Sequence, residues 1–155
     1  MTHTLLLIRH AKSDWDVPVG DRDRPLAARG RRQAPAVGRY LLDSGLIPDL
    51  AIVSPAARAR ATWEIVAAHW PREPRARIEE SAYTFDGDDL LDIICATPES
   101  IATLALVGHN PAVEEVVASL TGESVRLPTS ALAVIDCPTW ADPRPATLRY
   151  AGRPL

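Results

Sequence analysis

Three short groups of residues have the types and positions to do chemistry: Arg9-His10, Ser54 with Arg58, and His109-Asn110. Each follows an apolar run: Leu5-Leu6-Leu7-Ile8, Leu50-Ala51-Ile52-Val53, and Thr103 to Val107. Two guanidinium forks can hold a phosphoryl group through paired N–H···O bonds. A neutral imidazole carries a lone pair that can attack phosphorus in line, and a second imidazole can donate to the other oxygens. We read His10 as the reacting group, with Arg9, Arg58 and His109 around it. A helix beginning near Asn110 would add a weak positive end. The bland readings stand beside this one: a histidine at a strand end can be a satisfied packing residue, and Arg9 can be a surface ion-pair partner.

For these residues to meet, the apolar runs must be neighbouring parallel strands, since ligands in open α/β sheets bind beyond the carboxyl ends of strands. Continuous apolarity in Thr4 to Ile8 fits a strand covered on both faces. Leu50 to Val53 and Thr103 to Val107 read the same way, and Arg77 to Glu79 reads as a short strand. Ala131 to Asp136 and Thr147 to Ala151 read as an antiparallel pair across a proline-rich turn that contains Trp140. Between them lie helical patterns. Leu26 to Leu42 places Leu26, Ala34, Val37 and Leu41 near one face, with Gly38 for close packing, Pro35 as a kink or late start, and Gly45 as the stop. Ala57 to Trp70 would bury Ala61, Ile65 and Ala68. Asp86 to Thr97 would bury Leu90, Leu91 and Ile94. After Asn110 as cap and Pro111 as first helical residue, Val113, Val116, Val117 and Leu120 follow helical spacing up to Gly122. Alternating strands and helices predict an α/β fold, a three-layer α/β/α sandwich on a mostly parallel sheet.

With 155 residues the chain is expected to form one domain, residues 1–155. A hydrophobic fraction of 46%, a charged fraction of 24% and a net charge of −3 fit a soluble globular protein and argue against nucleic-acid binding. No apolar run approaches a membrane span or a secretory signal, so we expect a cytoplasmic protein with no membrane partner. Cys95 and Cys137 lack CxxC spacing and read as buried free thiols. His10, His109, Asp21 and Asp23 lack the local spacing of a zinc site.

Taken together, Arg9-His10-Ala11, Ser54-Pro55 with Arg58 and Thr62, and Gly108-His109-Asn110-Pro111 resemble the histidine phosphatase superfamily, which includes phosphoglycerate mutases. Arg9-His10-Ala11-Lys12-Ser13, the loop Asp21-Arg22-Asp23-Arg24-Pro25-Leu26, and Gly30 resemble its small SixA-type branch of phosphohistidine phosphatases. The resemblance runs from about Thr4 to Asp136. It implies a phosphoglycerate mutase-like fold, a phosphorylated intermediate on His10, and a phosphate pocket of Arg9, Arg58 and His109; against larger members of that family, the short stretch from Thr62 to Thr103 implies no cap insertion over the site. It also implies no cofactor and no metal, and a phosphohistidine-bearing protein as substrate. Ala11 stands where the wider superfamily usually has glycine; a small residue still permits close approach of phosphate.

Lys12, Ser13, Arg24 and Asn110 are candidate substrate-binding residues, although Lys12 reads equally as solvated and Asn110 first as a helix cap. Arg24 could instead pair with Asp21 or Asp23. Trp15 is a candidate rim residue; Trp63 and Trp70 read as packing, and His3 and His69 as structural. The general acid is the open position. Glu80 precedes Tyr83 by three residues, as a glutamate does in the mutase branch, but Glu79-Glu80 also reads as solvent-facing. An alkoxide needs a proton to leave, a service worth about 10²–10⁴-fold; the imidazole of phosphohistidine leaves more readily. A neutral His10 with a cationic His109 would give a bell-shaped pH profile. Two other readings remain at this point: a phosphatase of a small metabolite, and a phosphate- or phosphoprotein-binding module with negligible turnover.

Overall fold

A computed structural model describes residues 2–155. Six strands form one sheet: β1 (His3–Arg9), β2 (Leu50–Val53), β3 (Arg75–Ile78), β4 (Thr103–Gly108), β5 (Leu132–Cys137) and β6 (Thr147–Gly152). Their order is β3-β2-β4-β1-β5-β6. The first four in that order run parallel; β5 is antiparallel to β1, and β6 to β5. Four helices cover the sheet: α1 (Ala28–Asp43), α2 (Ala57–Ala67), α3 (Gly87–Cys95) and α4 (Ala112–Thr121). This is the expected α/β architecture, a mostly parallel sheet flanked by helices.

Alternation along β1 shows why two helical layers are required. Leu5 and Leu7 enter a core with Leu90, Ile94, Val113, Val116, Val117 and Leu120 from α3 and α4. Leu6 and Ile8 enter the opposite core with Val37 and Leu41 of α1 and Trp63 and Val66 of α2. All four β1 side chains are wholly buried. Fully burying such a side chain is worth about 1.5–3 kcal/mol, so both layers are anchored to the strand that leads to His10.

The expected strands are present, with β3 running Arg75–Ile78 at an exposed edge. The helices differ in detail. Helix α1 starts at Ala28 and continues through Pro35, without a late start; Leu26 lies before it, in a bridge to Ser13. Gly38 packs as expected: a Cβ there would lie 2.1 Å from the Val66 carbonyl of α2. Gly45 ends the helix region at φ +69°, where glycine is favoured. On α2 the buried face is Arg58, Ala59, Thr62, Trp63 and Val66 rather than Ala61, Ile65 and Ala68. An apolar-only pattern missed it because Arg58 and Thr62 point inward to polar partners. On α3 the buried residues are Gly87, Leu90, Ile93 and Ile94, and Asp86 caps the helix by accepting from the Asp88 amide. Asn110 is not the cap of α4: Pro111 holds that position, and the Asn110 amide is engaged elsewhere. Cys95 is exposed at the end of α3, correcting the expectation of two buried thiols; Cys137 is buried. Trp140 is wholly buried, stacked on His3, with its indole N–H on the Ile101 carbonyl. No helix among the described residues is long and apolar enough to cross a membrane.

Candidate active site

Strand register assembles the site. Arg9 of β1 pairs with Gly108 of β4, and the His10 amide donates to the Gly108 carbonyl at 3.1 Å. Val53 of β2 pairs with Val107, and the Ser54 amide donates to the Val107 carbonyl at 3.1 Å. The three groups therefore end level with one another. Arg9, His10, Arg58, His109 and Asn110 line a cavity of about 230 Å³ with Lys12, Ser13, Trp15, Asp21, Arg24, Phe85 and Thr129, and Ser54 lies buried behind His109.

His10 is 7% exposed. Its Nδ1 lies 2.7 Å from the Ala11 carbonyl oxygen. A carbonyl can only accept, so Nδ1 carries the hydrogen and Nε2 keeps its lone pair. Burial pushes the His10 imidazole down to about 3, against the bond to Ala11, with His109, Arg58 and Arg9 adding to the depression. The ring is neutral at ordinary pH. The turn that holds it is fixed by Thr62, whose Oγ accepts from the Ala11 amide at 2.8 Å and donates to the Arg58 carbonyl at 2.7 Å.

His109 is buried beside it, with ring centroids 5.2 Å apart. Its Nε2 lies 2.7 Å from the Ser54 hydroxyl, which also accepts from the Ala56 amide at 3.3 Å. Its Nδ1 is buried without a partner. With the hydroxyl donating to Nε2, Nδ1 carries the hydrogen and is free to donate to an anion. Burial and then Arg58 push His109 down to about 4. Both imidazoles are thus neutral in the unliganded protein, which revises the bell-shaped expectation built on a cationic His109.

Arg58 is 2% exposed. Its two terminal nitrogens donate to Asp21, one to the backbone carbonyl at 2.6 Å and one to Oδ2 at 3.1 Å, while Nε is buried and unpartnered. Arg9 donates to the Leu127 carbonyl at 3.0 Å, and its Nε is also buried and unpartnered. Unpaired buried donors are costly unless something accepts from them. Three such nitrogens, on Arg9, Arg58 and His109, in residues lining one cavity fit an anion with several oxygens.

Of the candidate binding residues, Arg24 is buried, pairs with Asp21 at 2.8 Å, and donates from Nε to the Ser13 hydroxyl at 2.9 Å. Lys12 lines the cavity. Asn110 also lines it, but its amide donates to Glu114 and to the Leu127 carbonyl, both at 2.9 Å. Glu114 accepts from the Leu127 amide as well, so the segment after α4 is tied to the site. Glu80 stands apart from the cavity lining. It is exposed and paired with Arg22 at 2.5 Å, which holds its carboxyl below the usual range.

Asp21, Tyr83 and Phe85 are the residues that sequence reasoning did not assign to the site. The Tyr83 hydroxyl donates to Asp21, and this bond, with those from Arg24 and Arg58, holds the carboxyl down at about 2. Asp21 sits in a short 3₁₀ turn, Asp21–Asp23, and Tyr83 just after another, Glu80–Ala82. Spacing alone carries no signal for such a contact. Among the described residues, no group of three or more His, Cys, Asp and Glu side chains is placed to hold a metal ion.

A family model described as histidine phosphatase superfamily (branch 1) matches residues 5–90. The chain belongs to the histidine phosphatase superfamily. It is 34% identical to an uncharacterized protein of Mycobacterium tuberculosis over 94% of this chain and 97% of that one. Among solved structures it resembles a candidate phosphohistidine phosphatase SixA from Nakamurella multipartitia, at TM-score 0.86 and 27% identity over 100% of this chain and 98% of that one. A candidate SixA from Agrobacterium tumefaciens matches at TM-score 0.85 and 29% identity, over 96% of both chains. Members of the superfamily are phosphatases or mutases.

Proposed function

We propose that this protein is a SixA-like phosphatase that removes the phosphoryl group from phosphohistidine on a partner protein. The observation that carries the reading is His10: a buried, neutral residue of the cavity lining, held by the Ala11 carbonyl in the tautomer with a free Nε2 lone pair. In the first step Nε2 attacks phosphorus, an N–P bond forms, and the bond from phosphorus to the substrate nitrogen breaks. The departing imidazole keeps the electron pair; it leaves neutral when its distal nitrogen already carries a proton, and otherwise takes one from water. In the second step water attacks phosphorus, its proton passes to a phosphate oxygen, the N–P bond breaks, phosphate leaves, and His10 regains its lone pair. Arg9, Arg58 and Nδ1 of His109 hold the oxygens through both steps, where charge accumulates.

The leaving group follows from the carboxylates. Asp21 is the carboxylate among the described cavity-lining residues, and two arginines and a tyrosine keep it ionised. Glu80 is exposed and bound to Arg22. Neither holds a proton at neutral pH. Such a site favours leaving groups that need little help, and phosphohistidine is one. The similarity to candidate SixA structures points the same way.

The test is a panel of phosphohistidine protein, phosphoramidate and sugar phosphates, with acid-sensitive, base-stable phosphate trapped on the enzyme after rapid quenching. Turnover and trapping should both vanish in His10→Asn. A sugar phosphate turned over far better than phosphohistidine protein overturns the substrate assignment. Full turnover by His10→Asn overturns the mechanism.

A further inference from the structure

Six large apolar side chains are well exposed among the described residues, and two of them, Trp15 and Phe85, line the His10 cavity. Trp15 is 69% exposed, while Trp63, Trp70 and Trp140 are buried. Phe85 is 55% exposed. An exposed aromatic ring on a loose loop is ordinary. These two are braced.

The Arg24 guanidinium lies over the Trp15 ring, 3.6 Å from its centroid. Arg24 is itself fixed by Asp21 and the Ser13 hydroxyl. Phe85 meets the His109 ring edge-on at 6.0 Å. Its backbone neighbours are pinned: the Thr84 hydroxyl donates to Asp89 at 2.6 Å and accepts from the Asp86 amide at 3.1 Å. Two rigid aromatic surfaces from separate loops thus border one cavity whose other residues are mainly polar. A phosphoryl group on Arg9, Arg58 and His109 directs its substituent toward the open side. A flat ring there can stack or meet the aromatic edges, whereas a polyol chain gains little.

We propose that Trp15 and Phe85 form a leaving-group subsite that binds the planar ring to which the phosphoryl group is attached. The inference rests on the phosphatase reading above and deepens it: the ring is the imidazole of phosphohistidine, and an aryl phosphate shares the chemistry.

Phenylphosphonate and methylphosphonate test the subsite without turnover, because their C–P bond is not broken in this chemistry. Binding to the wild-type protein is measured by calorimetry. Stacking on two aromatic groups predicts that phenylphosphonate binds about tenfold tighter. Trp15→Ala and Phe85→Ala should each cut that preference about threefold, with methylphosphonate affinity unchanged within about twofold; Trp15→Phe should largely retain it. Equal binding of the two phosphonates by wild type overturns the subsite. So does a loss in the variants that is the same for both ligands. A second arm compares phosphohistidine protein, an aryl phosphate and phosphoramidate as substrates. Loss of kcat/KM in Trp15→Ala on the two ring-bearing substrates and not on phosphoramidate supports the subsite; equal loss on all three overturns it. Ring preference confined to the aryl phosphate overturns the imidazole as its occupant. A ring preference in binding with no turnover of any substrate sinks the phosphatase reading and leaves the subsite standing. Failure of both phosphonates to bind overturns both.

Discussion

Burial of two neutral imidazoles should make this protein lose stability on mild acidification, and the loss can be assigned to named residues. An unfolded histidine titrates near 6.5. In the folded protein His10 is pushed down to about 3 and His109 to about 4. Between those values the unfolded chain binds protons that the folded chain refuses, so stability rises with pH. The contribution is fully present above about 6.5, shrinks as pH falls, and is lost by about pH 3 to 4. At pH 5 each histidine then costs about 2 kcal/mol relative to pH 7.5, out of a total stability of about 5–15 kcal/mol for a domain. The pair sits 5.2 Å apart between centroids, so the two contributions are coupled rather than strictly additive.

Urea unfolding followed by tryptophan fluorescence at pH 7.5 and 5.0, in phosphate-free buffer, reads this directly. His10→Asn keeps a donor for the Ala11 carbonyl, and His109→Gln keeps a polar partner for Ser54. Each should reduce the drop in stability between the two pH values by about 2 kcal/mol, and the double variant by more. Phosphate should offset the drop in wild type, since an anion favours protonated His109. If wild type loses no more stability than the double variant, the buried-neutral account of the site is wrong. The same physics bears on activity. At pH 5 an ordinary histidine is about 3% neutral, but one titrating near 3 is about 99% neutral. No acid limb of kcat/KM above pH 5 should then belong to His10. A limb near pH 6 would belong to the substrate phosphate and should move when the substrate is changed.

Three further outcomes are expected. Glu80→Gln removes an exposed ion pair with Arg22 outside the cavity lining and should leave kcat within about twofold on an aryl phosphate; a hundredfold loss would restore Glu80 as the acid. Ser54→Ala strips the partner from a buried His109 nitrogen, which should cost about 1–3 kcal/mol of stability in a denaturant melt and lower kcat/KM more than an equivalent surface change. Gly30→Ala would set a Cβ 2.3 Å from the Lys12 carbonyl oxygen. Either α1 or the loop beside His10 must shift, so a fall in stability of about 1–3 kcal/mol with a raised KM is expected in paired melting and kinetic assays.

Why the site was partly legible follows from where its residues sit. His10, Ser54 and His109 stand within two residues of the ends of apolar runs, and a parallel register brings such positions level. A reader of the sequence needs only the strands and their direction to place them together. Arg58 demanded more. It lies on the buried face of α2 with Thr62, and the apolar pattern of that helix put the buried face elsewhere. Its place just after the second strand marked it as a candidate, and the family motif separated it from Arg60. The thiol at Cys95 went astray for a related reason: it ends α3 just beyond two buried isoleucines, and composition does not reveal which side of the last turn faces water.

The loops were the illegible part, and they bear most on substrate choice. In the sequence Asp21 reads as a partner for Arg24 and not as a site residue. In the fold it also accepts from Arg58 and Tyr83, which lie 37 and 62 residues away along the chain. The consequence is chemical. Asp21 is a carboxyl group in the cavity, yet its three donors lower its affinity for a proton, and a general acid at neutral pH needs that affinity raised. The same contacts hold the Arg24 guanidinium over Trp15. One loop carboxylate therefore withholds the proton an alkoxide would need and braces a flat surface a ring can use. Both effects favour a leaving group that is planar and departs without acid assistance, and imidazole has both properties.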